Sequence, residues 1–81
     1  MPNTLHSARH QLISAAIKQA RLDKGMTQAQ LAAALGRHQP FVVAIEHKQR
    51  RVDLVELIDI AAVIDLDVPK LVKLLLKAER D

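Results

Sequence analysis

The chain has 81 residues, room for one small domain and not for a second. It has no cysteine and a single aromatic residue, Phe41. This rules out disulfide bracing, thiolate metal sites, an aromatic-walled ligand pocket and RNA or single-strand binding by base stacking. The net charge of +3 conceals an asymmetry: residues 1–52 carry +6 and residues 53–81 carry −3, which predicts a side that faces a polyanion and a side that faces away.

Helix start and stop signals predict an all-α chain of five short helices. Residues 1–6 are expected to be an N-terminal arm and residues 7–81 a single domain. The first helix runs from near Ser7 to Lys24, with Ala8, Leu12, Ile13, Ala16, Ile17 and Ala20 at helical spacing, and Gly25 ends it. Thr27 caps the second, and Gln30 completes a Thr-x-x-Gln capping box. Leu31, Ala32 and Leu35 form its inner face, and Gly36 closes it.

The third helix begins at His38 or Gln39, tolerates Pro40 in its first turn, and reaches about His47. Lys48-Gln49-Arg50-Arg51 has no apolar residue and reads as a basic loop. Asp53 and Glu56 form a second capping box. On the fourth helix Asp53, Glu56 and Asp59 are expected on one face, with Leu54, Leu57, Ile58 and Ala61 on the opposite, inner one. The fifth helix spans about 67–80. No strand pattern stands out.

The second and third helices, joined through Gly36, have the spacing of a helix-turn-helix. The stretch Gly25-Met26-Thr27-Gln28-Ala29-Gln30-Leu31-Ala32, with Leu35-Gly36, Gln39, Val42 and Ile45-Glu46 beyond it, resembles the Cro/phage-repressor (XRE-type) helix-turn-helix family. The resemblance continues through Arg50-Arg51-Val52-Asp53-Leu54 to Val68-Pro69 and Leu71. It implies a five-helix, repressor-like domain that binds double-stranded DNA as a dimer, docking the third helix (about 38–47) in the major groove.

Carried over residue by residue, the resemblance implies that Gln28 contacts a phosphate and Gln39 reads a base edge, an amide being able to bond adenine in a bidentate pair. Pro40 and Ala44 fall at base-facing positions where they can touch a thymine methyl but bond nothing. Val43 falls at a phosphate-facing position and takes a polar contact away. His38, Lys48, Arg50 and Arg51 are expected on the phosphate backbone, and Arg21 with Glu46 as a structural ion pair. Without this context, Arg37, Lys48, Arg50 and Arg51 would read as a solvated loop and turn.

The fifth helix carries more apolar residues than one buried face needs. Leu71, Leu74, Leu75 and Ala78 are expected at a dimer interface, which would set two third helices about 34 Å apart over a short inverted repeat. His6 and His10 stand four apart without a further ligand, so no metal or other cofactor is expected, and no nucleophile–base pair points to an enzyme. No run is long enough to span a membrane, and the N-terminus lacks a signal-peptide pattern. The sequence therefore predicts a cytoplasmic, nucleoid-associated dimeric repressor. The competing reading is a helix-turn-helix repurposed for binding a protein partner, motivated by the apolar Pro40–Ala44 surface.

Overall fold

The computed structural model describes residues 7–78. It consists of five helices: α1 (Ala8–Asp23), α2 (Gln28–Ala34), α3 (Gln39–Glu46), α4 (Leu54–Ile64) and α5 (Val68–Lys77). No strand occurs among the described residues. The arm expected over residues 1–6, and with it His6, lies outside them.

Four of the five helices begin with a side chain that takes over a backbone donor lacking an intrahelical partner. Ser7 Oγ accepts the His10 N–H at 3.1 Å, and Asp67 Oδ1 accepts the Lys70 N–H at 3.0 Å. Both expected capping boxes are closed. Thr27 Oγ1 accepts from Gln30 N while Gln30 Oε1 accepts from Thr27 N, and Asp53 and Glu56 exchange the same two bonds. His38 is the exception. It stands at the N-cap of α3 without a side-chain cap bond, and Pro40, which has no N–H, removes one of the donors it would have served.

The first four helices also end alike. After α1, Met26 N–H reaches back to Arg21 O and Gly25 N–H to Leu22 O, with Gly25 at φ +72°; this is the Schellman arrangement. Arg37 and Gly36 close α2 in the same way on Ala32 and Ala33. The pattern repeats after α3, where Gln49 N–H reaches Ala44 O, but the left-handed residue is Lys48 at φ +63°. After α4 it is Asp65, at φ +56°. Two of the four stops thus rest on residues that carry a Cβ and adopt this conformation against its steric preference.

The core lies where α1, α2, α3, α4 and α5 meet, and Ile17, Leu31, Val42, Ile45 and Ile60 are almost wholly buried in it. On α4 the buried residues are Leu57, Ile60, Ala61 and Ile64. Leu54 and Ile58, expected inside, are 65% and 52% exposed. The acidic stripe of Asp53, Glu56 and Asp59 did not set the rotational phase: Glu56 is itself half-buried, and the residues at steps of three and four from Leu57 took the interior. Leu12, one of the apolar residues at helical spacing on α1, lies at the surface.

α5 stops at Lys77, short of the expected residue 80, because the backbone at Ala78 is extended. Leu71, expected at a dimer interface, is buried within the chain's own core. Leu74 is exposed, and Leu75 and Ala78 are half-buried. Truncating Leu71 to Ala should therefore lower stability by about 2–5 kcal/mol, as for a large-to-small change in a packed core. The same change at Leu74 should cost much less at dilutions where the chain is monomeric. Denaturant melts of the two variants test the assignment.

Candidate nucleic-acid interface

The orientation of α3 against the rest of the fold is fixed by one buried ion pair. Arg21, on the last turn of α1, and Glu46, the last residue of α3, meet with Nε–Oε2 at 2.6 Å and Nη2–Oε1 at 2.9 Å. Their side chains are 8% and 0% exposed. The remaining guanidinium nitrogen donates to the Met26 carbonyl at 2.7 Å, and Gln28 Nε2 donates to Glu46 Oε1 at 3.2 Å. Hydrogen bonding to Glu46, with the coulombic pull of its charge, raises the pKa of Arg21 in spite of its burial. One ion pair thus ties together the end of α1, the loop after it, the start of α2 and the end of α3.

Gln28, expected on a phosphate, therefore already has a protein partner. Its position in the first turn of α2 remains half-buried, next to N–H groups that favour an anion.

With Val42, Ile45 and Glu46 buried, α3 turns its other side outward. Gln39 and Pro40 are exposed at its start, Val43 and Ala44 are half-buried along it, and His47 and Lys48 are exposed at its end. Gln39 is the sole residue of α3's outer face with an amide to offer a base edge. His47, which sequence reasoning passed over, adds an exposed imidazole at the far end of the same surface. Its place beyond Ala44 at a helical step was the signal that could have found it. His38 is exposed beside Gln39.

A second cluster borders this surface. Arg50 grips Glu56 with both ends of its guanidinium fork, at 2.9 Å on each oxygen. Arg37 Nη2 lies 3.8 Å from Glu56 Oε2. The ring of Phe41 lies against both arginines, with centroid distances of 3.9 Å to Arg37 and 4.7 Å to Arg50. Arg50 is therefore not the uncommitted cation expected of a basic loop. Hydrogen bonding to Arg50 is the chief influence that holds the Glu56 carboxyl below its usual range, with further help from the Asp53 N–H and the charge of Arg37. The bond to Glu56 in turn raises the pKa of Arg50. Lys48 and Arg51 are exposed on the same loop.

Among the described residues no group of three or more His, Cys, Asp or Glu is placed to hold a metal ion. No helix among them is long and apolar enough to cross a membrane.

The two ion pairs should respond differently to truncation. Arg21→Ala strands a fully buried carboxylate and should cost about 3–5 kcal/mol. Arg50→Ala, at a site open to solvent, should cost under about 1 kcal/mol. Paired urea melts read the difference. The Glu56 pair also has a pH signature. A carboxyl whose folded pKa is depressed contributes stability that is complete above its unfolded value, about 4.3, and is lost as pH falls through the folded one. Wild-type stability should therefore exceed that of a Glu56→Gln chain at neutral pH and converge on it in acid, which melts across a pH series would reveal.

A family model described as helix-turn-helix matches residues 17–71, more than half of the chain. No curated protein matches it. Among solved structures, the wild-type restriction-modification controller protein C.Esp1396I superposes with a TM-score of 0.76 at 28% identity, covering 89% of this chain and 95% of that one. A tetramer of the same controller in complex with its natural 35 base-pair operator gives a TM-score of 0.75 at 28% identity, covering 89% and 95%. The clp gene regulator ClgR from Corynebacterium glutamicum shares the fold, with a TM-score of 0.76 at 19% identity over 91% of this chain and 95% of that one. The family match and the superposed α2–α3 unit lead to one conclusion: the chain belongs to the XRE-type helix-turn-helix family of DNA-binding transcriptional regulators.

Proposed function

We propose that this chain works as a dimeric repressor, laying α3 in the major groove of a short inverted repeat. The observation that carries the reading is the exposed start of α3. Gln39 stands clear of the core, with Lys48 and Arg51 on the loop beyond the helix and the first turn of α2 alongside. Gln39 reads a base edge, Pro40 and Ala44 meet thymine methyls, and Lys48 and Arg51 neutralise phosphates. His38 lies within reach of the backbone. Val43 fills a phosphate-facing position with methyl groups, so direct readout is confined to few bases and DNA shape contributes the rest.

Dimerisation is supported by apolar surface that the monomer leaves uncovered. On α5, Val72, Leu74 and Leu76 are 41%, 49% and 72% exposed, and a chain this small gains stability from association. Leu74, Leu75 and Ala78 belong to the proposed interface; Leu71 does not. The controller C.Esp1396I binds its operator as a tetramer, in keeping with an oligomer on DNA here. A repressor of this kind acts in the cytoplasm, at the nucleoid, without a cofactor or catalysis.

The test is a titration of the purified chain against the DNA upstream of its own coding sequence and against a scrambled duplex, at low and physiological salt. Preference for the upstream site with steep salt dependence is the expected outcome. Gln39→Ala should cost about 1–3 kcal/mol on the preferred site and little on the scrambled one. Lys48→Ala should weaken both and flatten the log–log salt slope by about 0.9. Equal, negligible binding to both duplexes would redirect the search to a protein partner on the Pro40–Ala44 surface.

A further inference from the structure

Two arginines from two segments converge on one carboxylate beside α3. Glu56, in the first turn of α4, receives the fork of Arg50 on both oxygens and the nearby Nη2 of Arg37. Phe41 provides a flat apolar plate against which both guanidiniums lie. The arginines remain 46% and 37% exposed at their side chains, whereas Glu56 is 16% exposed. The cations are thus at the surface and the anion behind them.

A carboxylate that accepts a guanidinium fork offers the same planar pair of oxygens that a DNA phosphate offers. The α4 helix has its own use for Glu56, which closes the capping box with Asp53. That box needs one side-chain oxygen and no charge, since Gln serves as well. Gripping two arginines is an additional task, and exposed pairs of this kind add little to stability.

We propose that Glu56 is an internal stand-in for a DNA phosphate, occupying Arg37 and Arg50 in the free protein and so restraining sequence-independent binding. The inference rests on the reading that α3 faces DNA. On arbitrary DNA the two arginines stay on Glu56, and fewer phosphates are neutralised than the count of surface cations suggests. Where the rest of the surface docks closely, a phosphate brought near the Phe41 plate exchanges with the carboxylate. The plate keeps both guanidiniums in place during the exchange, because cation–π contact does not depend on which anion they hold.

The experiment measures binding of the full chain to a short random-sequence duplex over a salt series. It compares wild type, Glu56→Gln, and Glu56→Gln combined with Arg37→Ala and Arg50→Ala, with helicity checked for each. The Glu56→Gln chain should bind about two- to fivefold more tightly at fixed salt, the worth of an exposed ion pair. Its log–log salt slope should steepen by about 0.9 for each arginine released. The combined variant should lose both gains. Arg50→Lys, which keeps the charge but not the fork and leaves the α4 cap untouched, should steepen the slope as well. It carries the test if Glu56→Gln does not fold. An unchanged slope, or weaker binding by Glu56→Gln, overturns the proposal, because Glu56 would then be aiming the arginines rather than withholding them. A gain that survives in the combined variant overturns it too, as simple relief of charge repulsion. If wild type and every variant ignore the duplex even at low salt, the DNA-facing reading of α3 fails first and the proposal falls with it.

Discussion

Two opposite charges with almost no water around them set the geometry of this fold. Arg21 and Glu46 are buried, and a buried pair is tolerable only when its remaining donors and acceptors are also satisfied. Here the Met26 carbonyl and the Gln28 amide complete the set. A hydrophobic contact between α1 and α3 would tolerate sliding and rotation. A bidentate bond with two further partners does not, because a small displacement exposes an uncompensated charge. Such a pair is a poor source of net stability and a strong source of uniqueness. The angle at which α3 leaves the core, and therefore which of its residues face outward, is set by it.

The Glu56 cluster uses the same chemistry to the opposite end. It has the same fork geometry and similar distances, yet its arginines are open to solvent. Water screens the attraction, so the bonds add little to folding and are easily exchanged. Burial alone separates a pair that fixes the scaffold from a pair that can trade one anion for another. The two lie on different sides of α3: Glu46 holds its end to the core, while Phe41, near its start, holds the exchangeable cations.

The parts of this structure governed by local rules were legible in the sequence. Capping boxes, the two glycine stops and the α2–α3 spacing all act within a few residues, and each appeared where its signal stood. The rest depended on neighbours distant in sequence. Lys48 and Asp65 end their helices in a conformation associated with glycine, and no local signal marks a residue that is forced into it by the path of the chain beyond. The phase of α4 was ambiguous because Leu54, Val55, Leu57, Ile58 and Ile60 offer several apolar stripes, and only packing against the other helices chose among them. Leu71 looked available for a partner because a surplus of apolar residues says that some are exposed, not which. Arg50 read as a free cation because its partner lies six residues away across a loop, a separation that no helical periodicity predicts. The Arg37–Phe41 step of four was visible, but its meaning required Glu56 beside it.

Under the proposed docking of α3 in the major groove, these features bear on how a helix with so few hydrogen-bonding groups discriminates at all. Specificity is a ratio, and it rises either by strengthening the preferred complex or by weakening the competing ones. One bidentate amide–adenine pair contributes about 1–3 kcal/mol to the first route, and Gln39 is the only residue on the outer face of α3 with an amide to supply it. The second route acts on the electrostatic term, which every duplex shares and which dominates binding to random sequence. A basic half carrying +6 would make that term large if all its cations were available. Committing two arginines to Glu56 lowers it without removing them from the surface, so a sequence whose shape brings a phosphate close can still recruit them. Under that proposal an apolar α3 surface and a guarded set of cations are complementary: the fewer bases such a helix reads, the more its selectivity depends on holding its charge in reserve.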